Sequence, residues 1–234
     1  MTRLHLGCGT RYLDGYINID YPPSQHTVQS EIMVDRYADI LKLWYPKSSV
    51  DEIRLHHVFE HFPRQIALAL LCRWNDWLVP GGLLWIETPD VMASARALVS
   101  PFTSENTRLQ ILRHVFGSHE AQWAAHWDGW YKSRFSKTLS ALGFSRIEFI
   151  QSSWEALRNI EAKAHRGSAT LGLEEYRPIV KKLLEQSLVT HKTRASSHSV
   201  AESEIRMLEV WIKEWEALYL ARDDVHDPRE SGTD

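Results

Sequence analysis

The sequence contains only two cysteines, Cys8 and Cys72, among its 234 residues. Two cysteines are too few for a disulfide framework, so we expect a reducing compartment and a cytoplasmic protein. No apolar run approaches the roughly 18 residues that a membrane-spanning helix needs. The first predicted strand begins close to the N-terminus, which leaves no room for a secretory leader before it. We therefore expect neither a membrane span nor a signal peptide.

The sequence also lacks a strong excess of charge of either sign. Its formal net charge is -3 and its pI is about 6.5, so electrostatics give no reason to expect nucleic acid as a partner. Hydrophobic residues make up 44% of the chain and charged residues 24%, which is ordinary for a globular protein with a buried core. This length suits one α/β domain, with or without a helical appendage.

A third glycine is missing from the glycine turn near the N-terminus. Residues 4–20 read as a short strand, a turn with Gly7 and Gly9, and a second strand that ends in Asp20. The dinucleotide fingerprint Gly-x-Gly-x-x-Gly would have a glycine where Tyr12 stands, with its acidic residue about 20 positions further on. Because Asp20 follows Gly9 by only eleven positions, no full helix fits between them. The spacing counts against NAD or FAD and favours a strand-end carboxylate that binds a ribose.

The middle of the chain has the pattern of a crossover between parallel strands. Alternation over residues 50–55 predicts a strand, and apolar residues at helical spacing over 64–78 predict a helix. Pro80, Gly81 and Gly82 end that helix, and the apolar run over 83–87 predicts a buried strand. A right-handed connection of this kind joins parallel strands. Later segments predict a helix at 136–144, strands at 146–150 and 157–164, and amphipathic helices at 174–189 and 201–221.

Six blocks of sequence occur in one order and carry a family resemblance: residues 6–9, 16–20, 38–41, 50–53, 57–61 and 78–83. Together they resemble a class I S-adenosylmethionine-dependent methyltransferase, most of all the compact branch associated with surface-polysaccharide and O-antigen synthesis. The resemblance covers roughly residues 3–166. It implies an α/β fold with a Rossmann-like sheet, mostly parallel with an antiparallel edge strand, plus a C-terminal helical appendage. We therefore predict a methyltransferase domain (1–166), a C-terminal helical extension (167–222) and a disordered tail (223–234).

The resemblance implies S-adenosyl-L-methionine as the cofactor. It assigns the cofactor contacts to Gly7, Cys8, Gly9, Asp20, Asp39, Ile40 and His57. The glycine turn would pass close to the methionine half of the cofactor, Asp20 would accept from the ribose hydroxyls, and Asp39 would hold the adenine amino group. Each residue also has a plainer interpretation, since the acids could be loop or cap residues and the Cys8 thiol could simply fill a small buried space.

The segment that follows the fourth predicted strand also matches the zinc-peptidase pattern His-x-x-Glu-His, at His57, Glu60 and His61. That pattern needs a catalytic helix and a third ligand downstream, whereas here the segment follows a strand end and Pro63 comes directly after it. We therefore predict no metal and interpret Glu60 as a residue that hydrogen-bonds locally. A divalent metal that assists an acceptor hydroxyl is left open as an alternative.

Histidine and tryptophan are concentrated in residues 116–131, where enzymes that the chain resembles place the acceptor loop. Aromatic faces suit sugar rings, and His119 or His126 could act as a base for a hydroxyl nucleophile. Alternatively, Trp123, Trp127 and Trp130 could form a helix stripe packed on the core, since they are four and three residues apart.

We therefore predict methyl transfer to a hydroxyl of a sugar or polysaccharide precursor, with His57, His61 and His126 as candidate catalytic residues. The expected partner is a small-molecule or glycan acceptor. One alternative is a non-catalytic, methyltransferase-like binding or scaffold protein, and another is a methyltransferase that acts on a small-molecule or protein nitrogen. The apolar stripe over residues 205–219 is interpreted as packing, and oligomerisation through the C-terminal helices is left open.

Overall fold

The computed structural model describes residues 1–28, 31–189, 198–222 and 224–225. Its strands are β1 (Arg3–Leu6), β2 (Ile17–Asp20), β3 (Arg36–Tyr37), β4 (Leu43–Trp44), β5 (Val50–His56), β6 (Leu78–Pro89), β7 (Phe144–Trp154), β8 (Leu157–Arg166) and β9 (Asp224–Val225). Its α-helices are α1 (Arg64–Trp77), α2 (Val91–Val99), α3 (Glu105–Phe116), α4 (Lys132–Ala141), α5 (Leu173–Glu185) and α6 (His198–Leu220). Short 3₁₀ turns lie at Pro23–Gln25, Phe59–His61 and Gln122–Ala124.

Seven of these strands form one sheet in the order β3-β2-β1-β5-β6-β8-β7. The pairs β1–β2, β1–β5, β2–β3 and β5–β6 are parallel, whereas β8 runs antiparallel to both of its neighbours, β6 and β7. The predicted Rossmann-like sheet, mostly parallel with an antiparallel edge, is confirmed. The reversed strand itself lies one position in from the edge, because β7 and β8 are joined by a tight turn and β8 returns alongside β6.

Helix α1 is buried along most of its length between the sheet and the C-terminal helices. Its polar residues therefore need partners inside the protein. Arg73 donates to the carbonyl of Leu43, and the Asn75 amide donates to the Tyr176 hydroxyl over 2.9 Å. Trp74, on the same helix, is fully buried. The predicted helix is thus confirmed, but it is covered on both faces rather than on one.

The stripe on α6 packs against α1 and α5. Leu208 and Trp215 are buried, the Trp215 and Tyr219 rings stack at 5.6 Å, and the Tyr219 hydroxyl donates to Asp76 on α1. The packing interpretation of this stripe is therefore confirmed from Leu208 onward, whereas Ile205 is 56% exposed. The domain boundary at residue 166 stays a prediction. The predicted tail of residues 223–234 lies outside the described residues except for β9, which pairs with β4. No helix in the described part of the chain has the length and apolar character required to cross a membrane.

Gly7 begins the turn after β1 with a φ of 68°, in the left-handed region that favours glycine. A Cβ added there would also overlap Cγ2 of Val58. We expect Gly7→Ala to lower the free energy of unfolding in urea by at least ~2 kcal/mol, because left-handed strain and overpacking add. Gly15→Ala is the control, since Gly15 has a φ of 79° but its added Cβ would meet nothing closer than 4.0 Å. Equal losses in both variants would contradict the steric explanation.

His5 is a buried histidine on β1 whose Nδ1 lies 3.0 Å from Oδ1 of Asn18. Burial lowers its pKa from 6.5 to about 4. Between pH 6.5 and pH 4 the unfolded chain therefore binds a proton that the folded protein excludes, and stability falls as the pH falls, by up to about 1.4 kcal/mol per pH unit. Above this window both states are neutral, and below it both are protonated.

We expect His5→Asn to make the fall in unfolding free energy between pH 6.5 and pH 4 shallower, whatever its stability at pH 7. Urea denaturation at several pH values measures the slope. Some slope should remain, because burial also lowers the pKa of His56 and of His114. A variant with the full slope of the unmodified protein would show that His5 is protonated equally easily in both states.

Candidate active site

The candidate site lies at the carboxyl edge of the parallel strands, where α/β sheets bind ligands. Strand β1 runs into the glycine turn, β2 ends at Asp20, and β5 ends directly before His57. A cleft of about 630 Å³ opens at this edge. Of the predicted site residues, those that line it are Gly7, Cys8, Gly9, Asp20, Ile40, His57 and His61. The structure thus brings together residues that the sequence separates by more than fifty positions.

The carboxylate of Asp20 is buried beside the glycine turn, at 7% exposure. Its Oδ2 accepts from the backbone N–H of Gly9 over 2.6 Å, and its Oδ1 accepts from the N–H of Tyr21 over 2.7 Å. Nε2 of His26 lies 3.4 Å from the same Oδ1. The acid therefore faces the cleft and the glycine backbone, as the ribose interpretation requires.

Two chain segments, residues 21–28 and 120–124, cover the cleft and are called the roof below. The second lies within the loop 116–131 that the sequence singled out, whereas sequence reasoning missed the first. The indole Nε1 of Trp123 donates to the carbonyl of Gln25 over 2.7 Å, and the hydroxyl of Thr27 donates to the carbonyl of Glu120 over 3.0 Å. The ring of His26 packs edge-on against Trp123 at 5.2 Å. No sequence pattern links these segments, because nearly a hundred residues separate them.

Two predicted cofactor contacts have structural partners of their own. Burial raises the pKa of the Cys8 thiol to about 12, so the thiol stays protonated and fills space in the cleft wall. The carboxylate of Asp39 accepts from the N–H of Leu41 over 2.9 Å and from the Tyr21 hydroxyl over 3.2 Å. Asp39 is not a lining residue of the cleft. It orders the turn that presents Ile40 and Leu41, and its predicted contact with adenine stays a prediction.

His57 adopts a φ of 53°, in the left-handed region that is uncommon for residues other than glycine. Its Nδ1 lies 3.2 Å from Oε1 of Glu60, and its Nε2 lies 3.8 Å from Oε1 of Glu87. Burial opposes the charged imidazole, yet the hydrogen bond to Glu60 and the charges of both carboxylates raise its pKa overall. A donor at Nδ1 leaves Nε2 as the nitrogen with a free lone pair.

Glu87, near the end of β6, is a site residue that sequence reasoning missed. Its carboxylate lies 2.9 Å from Nδ1 of His56 and accepts from the Asn159 amide over 3.2 Å and from the Ser152 hydroxyl over 3.3 Å. The hydrogen bond from His56 outweighs burial and lowers the pKa of Glu87 to about 2. Glu87 could have been recognised from the sequence, because it is an acidic residue at the carboxyl end of an otherwise apolar strand.

The remaining predicted histidines, His61 and His126, lie together. Their rings meet edge-on at 4.7 Å, and Nε2 of His126 lies 3.9 Å from Oε1 of Glu60. Burial lowers the pKa of His126 to about 4. His119, the other histidine considered in this segment, is exposed and its Nε2 contacts the carbonyl of Phe116. Of the two, the structure brings only His126 to the site.

The helix stripe considered for residues 116–131 is wrong. The segment contains only the 3₁₀ turn Gln122–Ala124, and Gly117, with a φ of 96°, ends α3 before it. Trp130 is buried against Phe59 and Phe135, whereas Trp127 is 58% exposed. The tryptophans therefore go to three different environments, because an extended backbone does not keep residues three or four apart on one face.

A second cavity, of about 390 Å³, meets the cleft at His57. Its other lining residues are Gln110, Arg113, His114, Trp154, Glu155, Leu157 and Asn159. Trp154 is 68% exposed at the end of β7. None of these residues except His57 was proposed from the sequence, because they come from α3, β7, β8 and the turn between the two strands, which carry no site-like motif.

Comparison with known proteins gives partial structural likeness only. No protein-family model matches the chain, and no curated protein matches it. An S-adenosylmethionine-dependent methyltransferase from Mesorhizobium loti is 14% identical with a TM-score of 0.49, over 70% of this chain and 90% of that one. Human N-acetylserotonin methyltransferase, solved with S-adenosylmethionine, is 18% identical with a TM-score of 0.47, over 71% of this chain and 48% of that one.

A third solved structure, a Bordetella parapertussis protein described as a possible exported protein, is 17% identical with a TM-score of 0.43. That match covers 71% of this chain and 62% of the other. The chain thus spans less than two thirds of the length of this protein and of the human enzyme. All three TM-scores lie below 0.5, so these likenesses do not identify the reaction or the substrate of this chain.

Proposed function

We propose that this chain is an S-adenosylmethionine-dependent methyltransferase that methylates a hydroxyl group of a sugar or polysaccharide precursor. The observation that carries the proposal is the buried Asp20 carboxylate, which faces a cleft beside the glycine turn. A buried acid at the carboxyl end of the second strand is suited to bind a ribose diol. The cleft meets a second cavity at a histidine, which supplies a place for an acceptor.

The residues of the cleft fit the proposed cofactor. A ribose would replace the contact between Asp20 and His26, and its two hydroxyls would donate to the carboxylate. Ile40 and Leu41 supply apolar surface for a base. The glycine turn lets a ligand approach the backbone, because Gly7 and Gly9 carry no side chain and have φ values of 68° and 54°. The bound cofactor would supply an electrophilic methyl group on a sulfonium.

The second cavity has the chemistry of a carbohydrate site. Trp154 offers an exposed aromatic face, which suits the apolar face of a sugar ring. Gln110, Asn159 and His114 line the same cavity. His114 and Asn159 contact each other over 2.9 Å, and the amide of Gln110 would hydrogen-bond to ring hydroxyls. Arg113, on the same wall, would pair with an acidic or phosphorylated group on the acceptor. An acceptor bound here would place a hydroxyl next to His57.

His57 is the proposed base. Glu60 accepts from its Nδ1, so Nε2 is free to take the proton of the acceptor hydroxyl as the oxygen bonds to the methyl carbon. Glu87, 3.8 Å from Nε2, would stabilise the resulting imidazolium. The two roof segments are joined by hydrogen bonds across the cleft. With cofactor and acceptor bound, the roof would help to hold the hydroxyl in line with the carbon–sulfur bond.

The cofactor proposal is tested by isothermal titration of the purified full chain with S-adenosylhomocysteine. We expect one binding site per chain and a thermal midpoint that rises with ligand concentration. If the folded protein does not bind S-adenosylhomocysteine, both the proposed methyltransferase activity and the proposed cofactor are wrong. Binding without methyl transfer to any acceptor tested would favour the scaffold alternative.

The acceptor proposal is tested by transfer of a labelled methyl group to sugars, sugar nucleotides, oligosaccharides and amines. We expect label in a hydroxyl-bearing carbohydrate, and Trp154→Ala should raise the KM for that acceptor about tenfold or more with unchanged binding of S-adenosylhomocysteine. Trp127→Ala is the matched control, because Trp127 is similarly exposed but does not line the cavity. Label found only in amines would move the proposal to nitrogen methylation.

A further inference from the structure

We propose that Glu60, His61 and His126 form a binding site for a divalent transition-metal ion, with Zn²⁺ as the best match. One ligand atom from each residue lies within 4.8 Å of the other two. Two imidazoles and one carboxylate are a common set of protein ligands for Zn²⁺. The site goes beyond methyl transfer and does not depend on it.

The hydrogen bond that each imidazole makes through Nδ1 leaves Nε2 available to a metal. Nδ1 of His61 lies 3.1 Å from the carbonyl oxygen of Ala125, and Nδ1 of His126 lies 3.1 Å from that of Val115. A carbonyl accepts only, so each Nδ1 carries the proton and each Nε2 keeps its lone pair. Metal-bound histidines almost always donate their second ring nitrogen in this way. The tautomer that a metal needs is therefore fixed in both rings before any ion binds.

The carboxylate of Glu60 gives the second, independent observation. Glu60 is 2% exposed, and its Oε2 has no hydrogen-bond partner among the described residues. A buried carboxylate oxygen without a partner is costly, and a cation would compensate for it. The other oxygen, Oε1, already accepts from Nδ1 of His57. His57 thereby orients the carboxylate, which is how residues beside a metal site support its ligands.

This ligand set differs from the zinc-peptidase pattern in the sequence. That pattern would pair His57 with His61 and use Glu60 as a base, whereas here Nδ1 of His57 is occupied by Glu60. The third ligand, His126, comes from 65 positions beyond His61. Ligands at about 2.0–2.1 Å from Zn²⁺ lie about 3.3 Å apart in a tetrahedron, so the three atoms need to approach by about 1.5 Å at most.

The site connects two parts of the molecule that form the cleft. Glu60 and His61 follow β5, and His126 lies two residues after the roof residues 120–124. His61 lines the cleft and its ring packs against Trp123 at 5.9 Å. A bound ion would hold the roof to the sheet. Three protein ligands also leave at least one coordination position for water or an acceptor oxygen.

The test uses the tag-free full chain, stripped with a chelator and titrated with Co²⁺ as a spectroscopic probe, followed by Zn²⁺ competition. We expect one Co²⁺ per chain with visible d–d absorption, displaced by Zn²⁺. His126→Ala should weaken Co²⁺ binding by at least ~100-fold, because a direct ligand costs no less than an outer partner. His119→Asn is the matched control on the same loop, where the exposed side chain faces no carboxylate of the site.

A second variant distinguishes the loss of a metal ligand from a failure to fold. Glu60→Gln keeps the shape of the side chain but removes its charge, and it should also weaken Co²⁺ binding while thermal unfolding remains cooperative. Folded protein that binds no Co²⁺, or Co²⁺ bound equally well by His126→Ala, would overturn the inference. An unmodified chain that binds Co²⁺ but does not bind S-adenosylhomocysteine would contradict the proposed function. It would still support the metal site.

Discussion

Asp20→Ala is expected to weaken the binding of S-adenosylhomocysteine by roughly 100-fold or more. The carboxylate would accept from two ribose hydroxyls, and hydrogen bonds to a charged group contribute about 1.5–3 kcal/mol each. The loss is large because the site is buried, at 7% exposure, and ribose hydroxyls left without an acceptor there would be desolvated at a cost. Isothermal titration of the purified variant measures the change in affinity.

Two further variants make this result specific. Asp20→Asn keeps an oxygen for one hydroxyl and the shape of the side chain, so it should lose less affinity than the alanine variant. Asp14→Ala removes an exposed acid from the same connection between β1 and β2 and should leave the affinity within a factor of about two. If Asp20→Ala binds the ligand as tightly as the unmodified chain, Asp20 does not bind the ribose. The proposal that this chain is a methyltransferase would then also be wrong.

His57→Gln is expected to lower the rate of methyl transfer to a hydroxyl acceptor by roughly 10²–10⁴-fold, the usual contribution of a general base. Affinity for S-adenosylhomocysteine should change by only a few fold, because His57 meets the cleft at its junction with the second cavity. Formation of S-adenosylhomocysteine at saturating acceptor measures the rate. A fall in kcat with an unchanged KM indicates an interaction made in the transition state.

The matched control for the base is His119→Asn, a histidine of the same region that is exposed and lies away from Glu60 and Glu87. Asparagine tolerates the φ of 57° at that position. The control should keep the full rate. A His57→Gln variant that also keeps it would show that the acceptor loses its proton without this histidine, as an amine or an activated carbon could.

Much of the sheet could be predicted because its strands and helices are short-range patterns. The helix over residues 64–78, the crossover to β6 and the final strand pair follow from apolar spacing. The predicted stop at residues 80–82 is wrong, because α1 already ends at Trp77 and these residues lie inside β6. The loop over residues 116–131 could not be predicted in the same way. Its tryptophan spacing matches a helix, yet the segment is held extended, with Trp130 stacked on Phe135 and Trp123 bonded to Gln25.

Some residues of the candidate site could be predicted from the sequence and others could not. The glycine turn and Asp20 lie within fourteen residues of one another, so their proximity follows from a strand, a turn and a strand. Glu87 and the residues of the second cavity come from other elements, and only the sheet order brings them to His57. Contacts between distant segments depend on packing, which a local pattern does not record.

The α/β sheet, its glycine turn and the acid at the end of the second strand can all be inferred from the order of residues along the chain. Hydrophobic periodicity and turn residues act over a few positions, and the chain carries both. The position of His126 beside Glu60 and His61, and of His57 between two cavities, depends on how the chain packs in three dimensions. These residues come together because helices and strands from distant parts of the chain pack around one hydrophobic core. Such contacts form only when all of these elements are packed together.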